Sequence, residues 1–303
     1  MSGGTVVYDP VPPQVRARLR VLRIVSRRAA GQRGIGLHHS RSRGAGLEFA
    51  QYRAYEPGDE PRQIDWKLYA RSDRFFVREA ERESPLTVWV LLDASASMGQ
   101  ADGARPDWSR LDAGKALAAC IAEVAMAQGD RCGLVALRAA GLQLVAPGAG
   151  PRQRDRLLLA LHDLRAEGVF PGERPLAPLW ERVGADDLVV LLSDCFDEAC
   201  IALAERLASA RREVLAIQLL TVEERDFPFR DGRRFHDPET GEELLGDGAA
   251  LRDEFLERFG AARRALQARF DAAGIRHAGY VLDRPLDEPL RRLFGDTRAP
   301  EHA

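Results

Sequence analysis

The chain has no hydrophobic run near the length of a membrane span. Its longest apolar stretches, around Leu86–Leu92, Leu188–Leu192 and Val214–Leu220, fall well short of the roughly 18–20 residues required. Its opening residues, MSGGTVVYDPVPPQ, lack a basic segment leading into an apolar one, so a cytoplasmic address is expected. Cysteine is scarce: Cys120, Cys132, Cys195 and Cys200 show no C-x-x-C spacing, and two of them fall in periodic apolar segments. Buried free thiols are expected rather than zinc ligands or disulfides. Histidine is nearly as sparse. None of His38, His39, His162, His236, His277 and His302 sits in an H-E-x-x-H pattern, and there is no G-x-S-x-G elbow. Gly114-Lys115 lacks both the upstream glycine and the following hydroxyl residue of a phosphate-binding loop, so the chain is not expected to hydrolyse ATP itself.

What is present is an ordinary globular composition, with 303 residues, 45% hydrophobic and 30% charged, and a net charge of −2. That length accommodates one large α/β domain and a smaller unit. The charge is unevenly placed, because residues 1–43 hold nine arginines against one acid, Asp9. Val15, Leu19, Leu22 and Ile24 recur at roughly helical spacing among those arginines, which predicts a helix over 14–29 with a solvated basic face. A nucleic-acid-binding arm is the alternative. Gly31, Gly34, Gly36, Gly44 and Gly46 then break the chain into a linker, so residues 1–46 read as a basic helix and linker.

Residues 47–85 are dense in aromatics and charges, with Pro57-Gly58-Asp59 as a turn and Arg74–Val77 strand-like. They are expected to form a small, mainly β unit. From Leu86 to 296 the text alternates strand and helix. LTVWVLL is a buried parallel strand, and Ser109 and Asp112 precede an amphipathic helix ending at Gly129. CGLVAL and LQLVA form a hairpin. Helices follow at 152–165, 175–183 and 198–211, with strands at 187–193 and 213–220. Residues 223–247 form an excursion with hairpin character, before a helix over 251–273, a strand RHAGYVL and a short helix from Asp287 to Phe294. This is the pattern of an α/β fold with a doubly wound, mainly parallel sheet.

Directly after the first buried strand comes Asp93-Ala94-Ser95-Ala96-Ser97, a D-x-S-x-S sequence at the strand's carboxyl end, where open α/β sheets bind ligands. One carboxylate and two hydroxyls from a tight loop can converge on a hard cation such as Mg²⁺, which prefers oxygen. A second buried strand delivers Ser193-Asp194 to the same edge, giving Asp93, Ser95, Ser97 and Asp194 as the candidate metal set. An acidic side chain of a client protein would fill the open coordination position.

Here the chain resembles the von Willebrand factor A fold and, more narrowly, the bacterial family catalogued as domain of unknown function fifty-eight. The narrower resemblance rests on Arg53-x-Tyr55-x-x-Gly58-Asp59-x-x-Arg62-x-Ile64-Asp65-Trp66 and Ala70-Arg71, continued by Glu79 and Glu83. Lys115, Ala118, Gly129-Asp130, Ser193-Asp194, Phe235-x-Asp237 and Glu239-Thr240-Gly241 extend it over residues 34–295. The resemblance implies a non-enzymatic module with a metal-ion-dependent adhesion site (MIDAS), acting with a MoxR-type AAA+ ATPase in protein assembly or remodelling.

One departure stands out. The A-domain site usually adds a threonine from a Gly-x-Thr loop, and the counterpart here is Gly172-Glu173-Arg174. An arginine cannot ligate a cation; the expectations are that Arg174 pairs with the carboxylates and replaces the ion, that Glu173 acts as a substitute ligand, or that Arg174 points away. Arg53, Asp59, Arg62, Asp65 and Arg71 alternate in sign and read as a docking network, with Trp66 and Tyr69 as packing anchors, or as a partner-binding surface with Tyr55. Two other functions stay open: a metal-assisted, phosphatase-like hydrolase using Asp93 and Asp194, and nucleic-acid binding through the basic N-terminus.

Overall fold

The computed structural model describes residues 8–26, 49–56, 64–80, 85–236 and 239–294. The chain divides into two compact units, one of residues 34–85 and one combining residues 1–33 with 86–303. Among the described residues no helix is long and apolar enough to cross a membrane.

The larger unit is built on a six-stranded sheet. Its strands are β3 (Thr87–Asp93), β4 (Arg131–Arg138), β5 (Gly141–Gly148), β6 (Leu188–Ser193), β7 (Glu213–Leu220) and β10 (Arg276–Val281), in the spatial order β10-β7-β6-β3-β4-β5. All neighbours pair in parallel except β4 and β5, the expected hairpin. The continuous apolar runs of β3 and β6 are required because both sheet faces are covered. Val88, Val90 and Leu92 of β3 point into one core with Leu188, Val190 and Leu192 of β6. Trp89, Leu91, Val189 and Leu191 point into the other, as a side-chain period of two demands.

The first core is roofed by α3 (Arg110–Ala127), α4 (Pro151–Asp163) and α9 (Asp287–Phe294), and the second by α5 (Glu173–Arg182), α6 (Glu198–Ser209) and α8 (Gly248–Ala272). The excursion after β7 opens with a short helix, α7 (Val222–Asp226), and continues as the antiparallel hairpin β8 (Gly232–His236) and β9 (Glu243–Asp247). Phe227 of the excursion stacks on Phe235 and on Phe255 of α8, and Phe229 meets Phe227 and Phe235 edge-on. Phe227 is buried, and Phe229 and Phe235 are half-buried around it.

The N-terminal segment departs from the sequence reading. Its helix, α1, covers only Pro13–Leu19, not 14–29. From Val21 to Ser26 burial alternates strictly, with Leu22, Ile24 and Ser26 inward and Val21, Arg23 and Val25 outward, the period of an extended chain. The apparent helical spacing joins two elements of different period. Residues 27–29 lie outside the described residues. Val11, Val15, Leu19, Leu22 and Ile24 all enter the first core beside α3, so this segment is a strap built into the larger unit. It is also hydrogen-bonded there: Gln128 Oε1 accepts from Ile24 N at 2.8 Å, and Ser26 Oγ donates to Glu213 at 2.6 Å. Nor is its basic face only solvated, since Arg16 pairs with Glu123 and Asp9, and Arg18 with the buried Asp287.

The smaller unit has an antiparallel pair, β1 (Phe49–Ala54) and β2 (Phe76–Ala80), and one helix, α2 (Trp66–Ser72). The strand expected at Arg74–Val77 starts two residues later. The four cysteines are free and buried, as expected.

Candidate functional site

The sheet order places the site. From β3 the chain runs through α3 to β4 on one side, whereas β6, β7 and β10 lie on the other. The carboxyl ends of β3 and β6 therefore flank a topological switch point, where such sheets leave a crevice. Asp93 ends β3, and Ser193-Asp194 ends β6 and begins the following loop.

Each carboxylate is fixed locally. Asp93 Oδ1 accepts from Ser95 N at 2.9 Å, and its Oδ2 accepts from Ser193 Oγ at 2.7 Å. The loop then tightens into a 3₁₀ turn over Ala96–Gly99, anchored by the buried Met98. Backbone bonds from Ala94 N to Leu137 O, and from Ala96 N to Gly168 O, pin it to its neighbours. Ser95 and Ser97 bring their Oγ atoms within 3.1 Å of each other. Asp93 is only 1% exposed. Burial, reinforced by the neighbouring Asp194 and opposed by the Ser95 and Ser193 hydrogen bonds, raises its pKa to about 6.

Asp194 has a different partner, one that sequence reasoning missed. Arg110 Nη1 donates to Asp194 Oδ2 at 3.0 Å and to the Ser97 carbonyl at 2.9 Å. Its Nη2 pairs with Glu224, and its guanidinium lies 5.2 Å from the ring centroid of Phe196. Arg110 is 1% exposed; burial lowers its pKa from the usual value, opposed by Asp194, Asp102 and Asp93. Guanidinium basicity is high enough that it stays charged.

Two capping boxes hold this cation in place. Ser109 and Asp112 exchange backbone bonds at the start of α3 and fix Arg110 as its first residue. Thr221 and Glu224 do the same at the start of α7 and present the free Glu224 oxygen to Arg110. A cation at a helix N-terminus opposes the helix dipole. That conflict is the signal in the sequence that marks Arg110: a basic residue in the first turn behind a clear Ser-x-x-Asp cap.

The counterparts expected in the Gly172 loop do not reach the two carboxylates. Glu173 pairs with Arg206 at 2.7 Å, and its side chain is 86% exposed. Arg174 is exposed and, among the described residues, makes no ion pair. The expected guanidinium on the carboxylate edge is real in kind but comes from α3.

This arrangement decides the fit of a divalent ion. Asp93, Ser95 and Ser97 supply oxygens of the right type, but Asp194 is committed to Arg110. A dication beside that buried guanidinium would meet like charge in a poorly solvated place. As arranged, these residues do not fit the ion, and no group of three or more His, Cys, Asp or Glu among the described residues offers another site.

In the smaller unit, Asp65 caps α2 by accepting from Lys67 N and Leu68 N at 2.9 and 3.0 Å. Its carboxylate therefore serves the backbone. Trp66 is 59% exposed and meets Tyr69 and Phe75 edge-on; Tyr69 stacks on Phe75, and Tyr55 tilts against it. Arg71 is exposed in the last turn of α2. Arg53 lies on β1 opposite Val77; its side chain, like Asp59, Arg62 and Asp237, falls outside the described residues.

Comparison with known proteins places this geometry in context. Uncharacterized proteins of Mycobacterium bovis and Mycobacterium tuberculosis are 29% identical over 262 residues, covering 85% of this chain and 81% of theirs. Among solved structures, the SpRpn10 VWA domain aligns at 14% identity over 72% of this chain and 100% of its own, with a TM-score of 0.40. An aerotolerance-related membrane protein from Bacteroides fragilis aligns at 15% identity over 62% of this chain and 98% of its own, with a TM-score of 0.38. The family described as "Protein of unknown function DUF58" matches residues 51–265, and the chain belongs to it.

Proposed function

We propose that this protein is a non-enzymatic interaction module that works with a MoxR-type AAA+ ATPase and engages its partner through the Asp93–Asp194 edge. The observation that carries the reading is the Phe196 ring. It follows Asp194 in the loop, is 50% exposed, and lies against the guanidinium that ties that loop to the D-x-S-x-S turn. An exposed aromatic over a rigid, charge-paired platform is the composition of a binding hot spot. Family membership supports the ATPase as the partner class, as the sequence resemblance implies.

Nothing in this reading requires chemistry at the edge. A hydrolase would need a metal between Asp93 and Asp194, where Arg110 holds the second carboxylate. Nucleic-acid binding through the N-terminus would have to proceed without Arg16 and Arg18, which are held by carboxylates. Mg²⁺ and Arg110 are alternatives at Asp194, and the reading assigns the position to Arg110.

The test is capture of the ATPase from the native source by wild type, Phe196→Ala and Asp93→Ala, each with and without EDTA. Capture by wild type that survives EDTA and drops at least about tenfold in Phe196→Ala supports the reading. Equal recovery by all three proteins removes the edge from the interaction.

A further inference from the structure

Phe259, whose ring meets Phe196, lines a cavity. This cavity, of about 500 Å³, opens between α8, β10 and the C-terminal helix α9, within the size range of small-molecule sites. Arg225, Arg263, Arg264, Arg292 and His277 line it, and no carboxylate does. Leu256, Phe259 and Phe270 are among its apolar lining.

The arginines are not equally engaged. Arg225 pairs with Asp226 and Asp283, and Arg292 with Glu288. Arg263 and Arg264 make no ion pair among the described residues, although other arginines of the same helix do: Arg258 pairs with Glu254, and Arg269 with Glu198 and Glu205. Two exposed guanidiniums adjacent in sequence, with no carboxylate partner among the described residues, thus share the cavity lining with apolar side chains. Arg263 lies close over β10, where a Cβ on Gly279 would come within 3.2 Å of its Nη2.

We propose that this cavity binds a phosphate-bearing ligand, with Arg263 and Arg264 gripping the phosphate and the apolar lining side chains taking the organic part. Planar guanidinium forks match phosphate oxygens in pairs. The site also touches the edge described above. Gln218 lines the cavity and donates through Nε2 to the Asp194 carbonyl at 3.0 Å, and Phe259 meets Phe196 edge-on at 6.2 Å.

The test is calorimetric titration of the full chain with inorganic pyrophosphate and with ADP, and flotation with phosphatidylcholine vesicles with and without phosphatidylglycerol. Arg263→Ala/Arg264→Ala should weaken whichever probe binds by roughly a hundredfold, about tenfold per charged contact. Arg258→Ala, on the same helix outside the cavity lining, should leave it unchanged. Binding of ADP or pyrophosphate alone identifies a soluble ligand, and binding of the anionic vesicles alone a lipid headgroup. Absence of saturable binding by every probe overturns the proposal. So does an equal loss in Arg258→Ala, which would reduce the effect to the general charge of the helix. Both variants change exposed side chains, so an unchanged circular dichroism spectrum is expected alongside the loss.

Discussion

Arg110 and Asp194 form an ion pair of 3.0 Å with side-chain exposures of 1% and 3%, joining the first turn of α3 to the loop after β6. A buried pair of this kind stabilises little relative to apolar packing, but losing one member leaves the other charged and dry. Arg110→Ala should therefore cost about 3–5 kcal/mol, and Asp194→Ala a similar amount. The double variant should cost clearly less than the two together, read from urea unfolding midpoints. Strict additivity would mean that the pair is not coupled and that Glu224 and Ser97 alone hold Arg110.

Asp93 predicts a pH dependence of definite sign. Its pKa is raised to about 6 in the folded protein, against about 3.9 in an unfolded chain. The folded state then binds the extra proton between those values, so its stability falls as pH rises from about 4 to 6, by roughly 3 kcal/mol. Asp93→Asn keeps an acceptor for Ser95 N, and its amide can donate to a rotated Ser193 hydroxyl. The variant should lose this pH-dependent decline and unfold at a higher temperature than wild type at neutral pH. Parallel curves for the two proteins across that window would contradict the assignment.

Competition between cations at Asp194 gives a third expectation. Millimolar Mg²⁺ should leave the melting temperature of wild type unchanged, because ligand stabilisation requires binding to the folded state. Arg110→Gln frees the Asp194 carboxylate beside Asp93, Ser95 and Ser97, and Mg²⁺ should raise its melting temperature. A Mg²⁺-dependent rise in wild type would establish that the ion displaces Arg110.

A packing prediction checks the strand pairing beneath the site. A Cβ at Gly133 of β4 would lie 2.9 Å from Trp89 and 3.0 Å from Pro147. Trp89 cannot easily yield, since it is buried and its Nε1 donates to Asp187 at 2.9 Å. Gly133→Ala should destabilise by about 1–3 kcal/mol, measurable by thermal or urea unfolding.

The parts of this molecule that are legible in the sequence are those where one local signal decides the outcome. An apolar run as short as Leu188–Leu192, in a chain that alternates such runs with helical stretches, reads as a strand covered on both faces, and Asp93-x-Ser95-x-Ser97 directly after such a run reads as the sheet's carboxyl edge. The strap after α1 reads wrongly as helix because Leu19, Leu22 and Ile24 fit a helical period across a boundary where the true period changes to two. The misplaced charge of Arg110 behind its helix cap is visible locally, but its pairing is not, because Asp194 and Glu224 are 84 and 114 residues away. Arg174 looks like the guanidinium of the site because it is close in motif; the fold turns it outward and brings another in.

The strap has a further consequence. Because residues 8–26 are built into the core beside α3, the smaller unit of residues 34–85 is an insertion, joined at both ends to one folded body. Trimming the chain from its N-terminus would strip five core side chains before reaching that insert, so a truncation meant to remove a basic arm would be read out as unfolding. A variant without the insert must instead excise it internally and reconnect the strap to β3.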